Sequence, residues 1–155
     1  MKITILLSAV AAVLMCCHEN SENNKTKGAS ESSIKGTWKL LTGVTIEGKD
    51  STYTDYTTDQ EFIKMINDTH FSFVRHDVKQ GKDSTTAAYV SGAGTYEFEG
   101  NTYKEHLQYC NFREWEGHDF TFDVQIKNDT LVQSGIEKSE ELGVDRKIIE
   151  TYIRL

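Results

Sequence analysis

The chain has 155 residues, of which 17 are basic and 24 acidic, so its formal net charge is −7. This length suits one domain with a sizeable core and short appendages. An acidic chain without a cluster of basic residues argues against binding to nucleic acid and against electrostatic docking on anionic lipid. The sequence contains no proline, so glycines and Asn/Asp pairs must supply the turns.

The N-terminus has the pattern of a secretory signal. Met1-Lys2 is positively charged, and the almost unbroken apolar run 3–15 follows it. This run is too short to span a bilayer as a stable helix, but its length suits a signal h-region. It ends at Cys16-Cys17, a junction that resembles the lipobox of bacterial lipoproteins, where an acylated cysteine becomes the mature N-terminus. We therefore predict a signal peptide over 1–16 and lipidation of Cys17.

Two alternatives stay open at this junction: lipidation of Cys16, and a plain secreted protein whose leader happens to end in cysteines. The segment 17–33 consists of the lipidated cysteine and a stretch that is rich in Ser, Glu, Asn and Lys. Such a segment buries too little apolar surface to offset its ordering entropy. We expect a flexible tether between a membrane anchor and a domain at 34–155. The predicted location is the bacterial cell envelope, lipid-anchored to the outer membrane, with the domain in the periplasm or at the cell surface.

From Gly36 onward, apolar residues recur with the period of two that is typical of half-buried strands. The first strand places Trp38, Leu40, Val44 and Ile46 on one face. The polar segment 51–59 is interpreted as a long loop at a barrel mouth, with room for a short strand. The segment 60–66 fits a helical turn or a strand, and the turn that follows it favours a hairpin. Eight strands are predicted, at 36–46, 60–66, 70–76, 86–98, 102–110, 120–126, 131–137 and 144–155.

The connections between these strands are short, so neighbouring strands should be antiparallel. A flat sheet would leave two exposed edges, and closure removes them. We therefore predict an all-β fold: an eight-stranded antiparallel up-and-down barrel that follows the signal peptide and tether. A barrel of this size holds either side chains or one small ligand.

Several motifs resemble a known superfamily. The start at 36–38 and Arg154 near the end of the last strand resemble the lipocalin-like (calycin) signature, in which a strand-one Trp is packed by a late Arg. This resemblance implies a lipocalin-like barrel in which Arg154 covers Trp38, a contact that contributes about 0.5–2 kcal/mol. The alternative is a solvated Arg154. Further segments are similar to small lipocalin-like lipoproteins of Bacteroidetes-type bacteria, mostly of unassigned function: 69–75, 92–96, 100–106, 128–135 and 150–154.

Charged side chains share a parity with large apolar ones on three predicted strands, at Arg75, Glu105 and Glu150. If these faces point inward, the charges should pair with each other or with a ligand, because burying them singly is costly. Two interpretations stay open: a pocket with polar anchors, or a filled barrel with an internal salt-bridge network. A bulge near Gly92 would shift the parity. The candidate ligand-binding residues are Phe73, Arg75, Tyr103, Glu105, Tyr109, Gln133, Glu150 and Tyr152, with His70 as a weaker candidate.

The leading hypothesis is a membrane-tethered monomer that binds a small, partly apolar ligand inside the barrel. The second is an envelope interaction or inhibitor protein that acts through its rim loops, 51–59 and 112–118. An enzyme is the third hypothesis. Glu105 with His70, or Glu150 with Arg75, could do acid–base work, but the sequence shows no set of nucleophile, base and orienting residue. No cofactor or metal site is predicted, since the histidine spacings are unlike those of zinc ligands. Cys110 is expected to be a small buried hydrophobe.

Overall fold

The computed structural model describes residues 33–155. The predicted signal peptide, the lipidation site at Cys17 and the tether up to residue 32 lie outside the described residues. Within the described range no helix is long and apolar enough to cross a membrane. That range contains nine strands and a 3₁₀-helical turn at Arg113–Trp115. The strands are β1 (Gly36–Glu47), β2 (Asp50–Asp55), β3 (Gln60–Ile66), β4 (His70–Asp77), β5 (Tyr89–Glu99), β6 (Thr102–Cys110), β7 (Asp119–Lys127), β8 (Thr130–Ser139) and β9 (Val144–Arg154).

Eight of these strands form a closed antiparallel barrel. Strands β3 to β9 are neighbours in chain order, and β1 pairs with both β3 and β9 to complete the ring. The predicted all-β eight-stranded barrel is therefore confirmed, and 60–66 is a strand. The remaining strand, β2, lies in the segment interpreted as a long loop with a possible short strand. The strand predicted from residue 86 begins three residues later, at Tyr89.

Strand β1 changes partner and face midway along its length. Its register with β9 shifts between Leu40 and Thr42, which places a bulge at Leu41. A bulge inserts one residue and exchanges the two faces of the strand. Beyond it, Gly43 is buried and Thr45 lines the barrel interior, so the prediction that Val44 and Ile46 share the Trp38 face is wrong.

The end of the barrel where β1 begins is filled by an apolar core. Trp38 and Leu40 are fully buried, and the Trp38 indole donates from Nε1 to the Ile34 carbonyl at 2.8 Å. Further buried side chains at this end come from six other strands: Ile66, Phe71, Tyr103, Val124, Leu131 and Tyr152. These residues leave this end closed.

Arg154 covers the outer face of Trp38. Its guanidinium carbon lies 4.0 Å from the centre of the indole ring. The two terminal nitrogens donate to the carbonyls of Lys35 and Ser33, at 2.7 and 2.6 Å. A side chain at Gly36 would overlap this guanidinium, and Gly36 has a φ of 144°, a conformation that favours glycine. The predicted contact between Trp38 and Arg154 is confirmed.

Candidate functional site

The other half of the barrel contains a cavity of about 440 Å³. It lies above the Trp38 core and reaches the end where β1 turns into β2. Its wall is about equally polar and apolar, because aromatic and aliphatic side chains alternate there with carboxyl, amide and cationic groups. The aromatic lining residues are Tyr56, Phe62, Phe73, Phe112, Trp115, Phe120, Phe122 and Tyr152.

Lys64 of β3 forms the floor of the cavity. Its side chain is only 5% exposed, and its Nζ lies 2.5 Å from Oε1 of Glu105. The same ammonium donates to Oε1 of Gln133 at 3.2 Å. A buried ion pair is tolerated when such additional hydrogen bonds satisfy its partners. The ammonium is also within 5.1–5.8 Å of the centres of four rings, a cation–π environment, formed by Phe71, Tyr103, Phe122 and Tyr152.

Glu150 of β9 continues this polar floor. Its Oε2 accepts hydrogen bonds from Gln133 Nε2 at 2.7 Å and from the Tyr152 hydroxyl at 2.8 Å. Burial raises the pKa of Glu150 above its usual value, and the charge of Lys64 opposes that rise only in part. Burial also raises the pKa of Tyr152 well above 10, so its hydroxyl stays a donor. Folding thus favours the neutral carboxylic acid of Glu150 more than the unfolded chain does.

Two arginines lie higher in the cavity. Arg75 donates from Nε to Oε1 of Gln60 at 2.6 Å, and its guanidinium carbon lies 5.5 Å from the centre of the Tyr56 ring. Arg146 donates from Nε to Oε2 of Glu137, also at 2.6 Å. These groups form the polar part of the rim.

Tyr56 lies at the point where β1 leaves β3 and pairs with β2. Its backbone N–H donates to the Leu41 carbonyl at 2.9 Å, and its ring meets Phe62 edge-on at 6.2 Å between centres. The ring also packs over Gly43, where a Cβ would lie 3.1 Å from it. Burial raises the pKa of Tyr56, against the opposing charge of Arg75.

The structure brings most of the predicted site residues together. Tyr103 lies beneath the floor, where burial and then the charge of Glu105 raise the pKa of its hydroxyl. Lys64 was not predicted, and it replaces the expected pairing of Arg75 with the carboxyls. The predicted residues that line the cavity are Phe73, Arg75, Glu105, Gln133, Glu150 and Tyr152.

The prediction that Tyr109 faces the interior is wrong. Its side chain is 66% exposed, and Cys110 takes the inward position. The cause is a register shift in the β5–β6 pair, where Leu107 lies opposite Gly94 and Tyr109 lies opposite Ala93. Gly94 permits the shift because a Cβ there would overlap the His106 carbonyl oxygen.

The weaker candidate His70 is also outside the site. It is exposed at the start of β4, near the closed end, where its Nδ1 lies 2.7 Å from the Thr69 hydroxyl. The considered pair of His70 with Glu105 is therefore not formed. Between residues 33 and 155 there is no cluster of three His, Cys, Asp or Glu side chains suited to a metal ion.

Sequence reasoning missed Lys64, Glu137 and Arg146. Arg146 lies two residues before Ile148 on β9 and shares the inward parity of Ile148, Glu150 and Tyr152. Extending that alternation towards the start of the strand would have identified Arg146 as an inward residue. Lys64 gave no such signal, because Ile63 and Met65 are as apolar as its inward neighbours Phe62 and Ile66. Periodicity alone cannot orient that strand.

No protein-family model matches the chain, and no curated protein matches it. Among solved structures, the chain is similar to the crystal structure of an uncharacterized protein from Bacteroides eggerthii. That match has 11% sequence identity and a TM-score of 0.48, and it covers 79% of this chain and 100% of the other.

Proposed function

We propose that this chain is a lipocalin-like, membrane-tethered protein that binds a small, partly apolar ligand in the barrel. The observation that carries the proposal is the aromatic cavity of about 440 Å³. Ligand pockets are commonly about 300–1,000 Å³, mostly apolar, with a few convergent polar groups. Lys64, Glu105, Gln133 and Glu150 supply such groups at the floor.

A filled barrel with an internal salt bridge explains less of the structure. The buried pair of Lys64 and Glu105 occupies only the floor. Above it, Phe62, Phe73 and Phe120 face the open volume. A barrel filled by its own side chains would leave few voids larger than a water molecule, so a volume of this size does not fit that interpretation.

The uncharged dye N-phenyl-1-naphthylamine tests this proposal, because it fluoresces strongly in apolar surroundings. We expect the full chain in a non-ionic detergent to give a saturable signal above a detergent blank. Thr45→Trp projects a large side chain into the cavity and should abolish that signal. Thr121→Trp is the matched control, since Thr121 is exposed on the outer face of β7. Absence of a saturable signal, or equal binding by the two variants, would contradict the proposal.

The membrane tether is tested in a bacterial host that is fed a labelled fatty acid. We expect the full chain to incorporate the label and to fractionate with membranes. Cys17→Ala should lose both properties, and Cys16→Ala should keep them. Loss of label only in Cys16→Ala would identify Cys16 as the lipidated residue. An unlabelled, soluble full chain would contradict the tether.

A second candidate function, an interaction through the rim loops, is favoured by two exposed aromatics. Tyr53 is 65% exposed and Phe112 is 45% exposed. Exposed aromatics are frequent anchors in protein interfaces. Phe112 also borders the cavity, together with Tyr56 and Trp115 of the same loops, whereas Tyr53 does not. Cross-linking in native envelopes with the wild type and a Tyr53→Ser, Phe112→Ser variant would test this. A partner lost only in the variant is expected, and an unchanged pattern would contradict it.

A further inference from the structure

The cavity contains three cationic side chains, although the chain as a whole has a net charge of −7. Lys64 is paired with Glu105, and Arg146 with Glu137. Arg75 differs from both. Within residues 33–155 its side chain hydrogen-bonds only to the neutral amide of Gln60, with no carboxylate within salt-bridge distance. Arg75 is therefore a cation without a counter-ion in this part of the chain.

Both rim arginines also have unused donors. Arg75 and Arg146 each bond through Nε, and their terminal nitrogens donate to no group in the described part of the protein. A guanidinium presents its donors as a planar fork that matches two oxygens of a carboxylate, sulfonate or phosphate. Tyr56 packs near the Arg75 guanidinium, at 5.5 Å from its ring centre, and makes no hydrogen bond to it.

The remaining carboxyl in the cavity does not neutralise Arg75. Glu150 accepts hydrogen bonds from Gln133 and Tyr152, and it makes no ion pair with any residue from 33 to 155. Burial raises its pKa, which favours the uncharged form and weakens its repulsion of an anion. The electrostatic balance of the cavity is thus shifted towards positive.

We infer that the ligand is an amphipathic anion whose oxyanion group binds Arg75 and Arg146 at the rim. Its apolar body then packs against the aromatic walls around Phe62, Phe73 and Phe120. This inference rests on the proposed function and adds the charge class of the ligand to it. Hydrogen bonds to the charged guanidinium would replace the water that Arg75 loses when the cavity fills.

The test compares two dyes that differ by one sulfonate: 8-anilinonaphthalene-1-sulfonate and the uncharged N-phenyl-1-naphthylamine. We expect Arg75→Gln in the full chain to weaken binding of the sulfonate dye about 10-fold, the usual effect of one hydrogen bond to a charged group. Its affinity for the uncharged dye should change by less than about twofold, since the apolar wall is intact. Arg146→Gln should show the same selectivity.

Lys127→Gln is the matched control, because it removes one positive charge from an exposed site at the closed end of the barrel. It should leave the affinities for both dyes unchanged. Added salt should weaken the sulfonate dye more than the uncharged one in the wild type, a measurement that does not depend on how the variants fold. Displacement of the sulfonate dye by decanoate or decyl phosphate, and less by decanol, would also support the inference.

The outcomes separate the inference from the proposed function. If the uncharged dye binds but Arg75→Gln and Lys127→Gln affect the sulfonate dye equally, the anion site is wrong and the ligand cavity stands. Equal displacement by decanol and decanoate would overturn the anion site in the same way. If neither dye binds saturably to the wild type, the proposed function fails as well.

Discussion

The two ends of the barrel are built by the same eight strands but have different interiors. At the closed end, Trp38 and Leu40 are fully buried and pack against apolar neighbours. At the open end, inward-facing positions of the barrel strands carry Arg75, Glu137 and Arg146, which line a cavity. The floor residue Lys64 marks the boundary. The difference indicates that one end is a packed core, and the proposed function assigns ligand binding to the other end.

The course of β1 explains where the boundary lies. Its first residues, up to Lys39, pair with β3 and complete the ring. From Thr42 onward it pairs with β2 instead, and Tyr56 packs into the region where β1 and β3 diverge. Complete strand pairing thus coincides with the filled core, and the change of partner coincides with the cavity.

The largest expected effect compares a tryptophan at each end. Trp38→Ala should lower the free energy of unfolding by about 3–5 kcal/mol, because it removes a fully buried indole. Trp115→Ala should cost less than half as much, because Trp115 is only partly buried at the cavity. Urea titrations of both variants provide the measurement. Equal losses would mean that the two ends do not differ in stability.

The next effect compares two ion pairs. Glu105→Gln leaves the Lys64 ammonium buried without a counter-charge and should cost about 3 kcal/mol. Adding Lys64→Met should recover most of that loss. Glu137→Gln at the rim should cost about 1 kcal/mol or less, because its partner Arg146 can reach water. If Glu105→Gln is as mild as Glu137→Gln, Lys64 is hydrated and the floor is not sealed.

A smaller effect is expected for the contact between Arg154 and Trp38 at the closed end. Trp38→Ala, Arg154→Ala and the double variant form a thermodynamic cycle. We expect a coupling of about 0.5–2 kcal/mol, since the guanidinium lies over the indole at 4.0 Å. Unfolding by urea gives the three free energies. Additive losses would show that Arg154 acts only through its hydrogen bonds to Ser33 and Lys35.

The smallest expected effect is a pH dependence at the open end. The pKa of Glu150 is raised in the folded state above its unfolded value near 4.5, so the folded state retains the proton longer. The associated stability is complete below pH 4.5 and is lost as pH rises through the folded pKa. Glu150→Gln keeps an acceptor for Tyr152 and should remove this decline. If the unfolding free energy of Glu150→Gln depends on pH in the same way as that of the wild type, the raised pKa is contradicted.

The fold was largely predictable because alternation and short turns act locally. The strand that contains Phe120, Phe122 and Val124 alternates clearly, and all three are buried. Bulges were the main source of error, because one inserted residue exchanges both faces of a strand. At Leu41 the bulge turned Val44 outward, and in β6 another turned Tyr109 outward.

The candidate site was predictable only in part. Arg75, Glu105 and Glu150 could be found because each shares its parity with clearly inward apolar residues. Gln133 was also predicted, but its contacts were not, and Lys64 and Gln60 were missed, since these residues meet their partners through register between strands. Burial of Lys64 is decided by that register and by four surrounding rings, not by its sequence neighbours.

The stacked Trp38 and Arg154 also determine from which end of the barrel the cavity can be reached. The Trp38 indole fills one end of the barrel, and Arg154 covers it while donating to the carbonyls of Ser33 and Lys35. The cavity is therefore open only at the other end. Nothing can pass through it from end to end. Under the proposed function, a ligand would enter and leave through the open end of the barrel, whose cavity lining includes Tyr56 and Phe112. The geometry is therefore consistent with a binding cavity that has one entrance, as the proposed function requires.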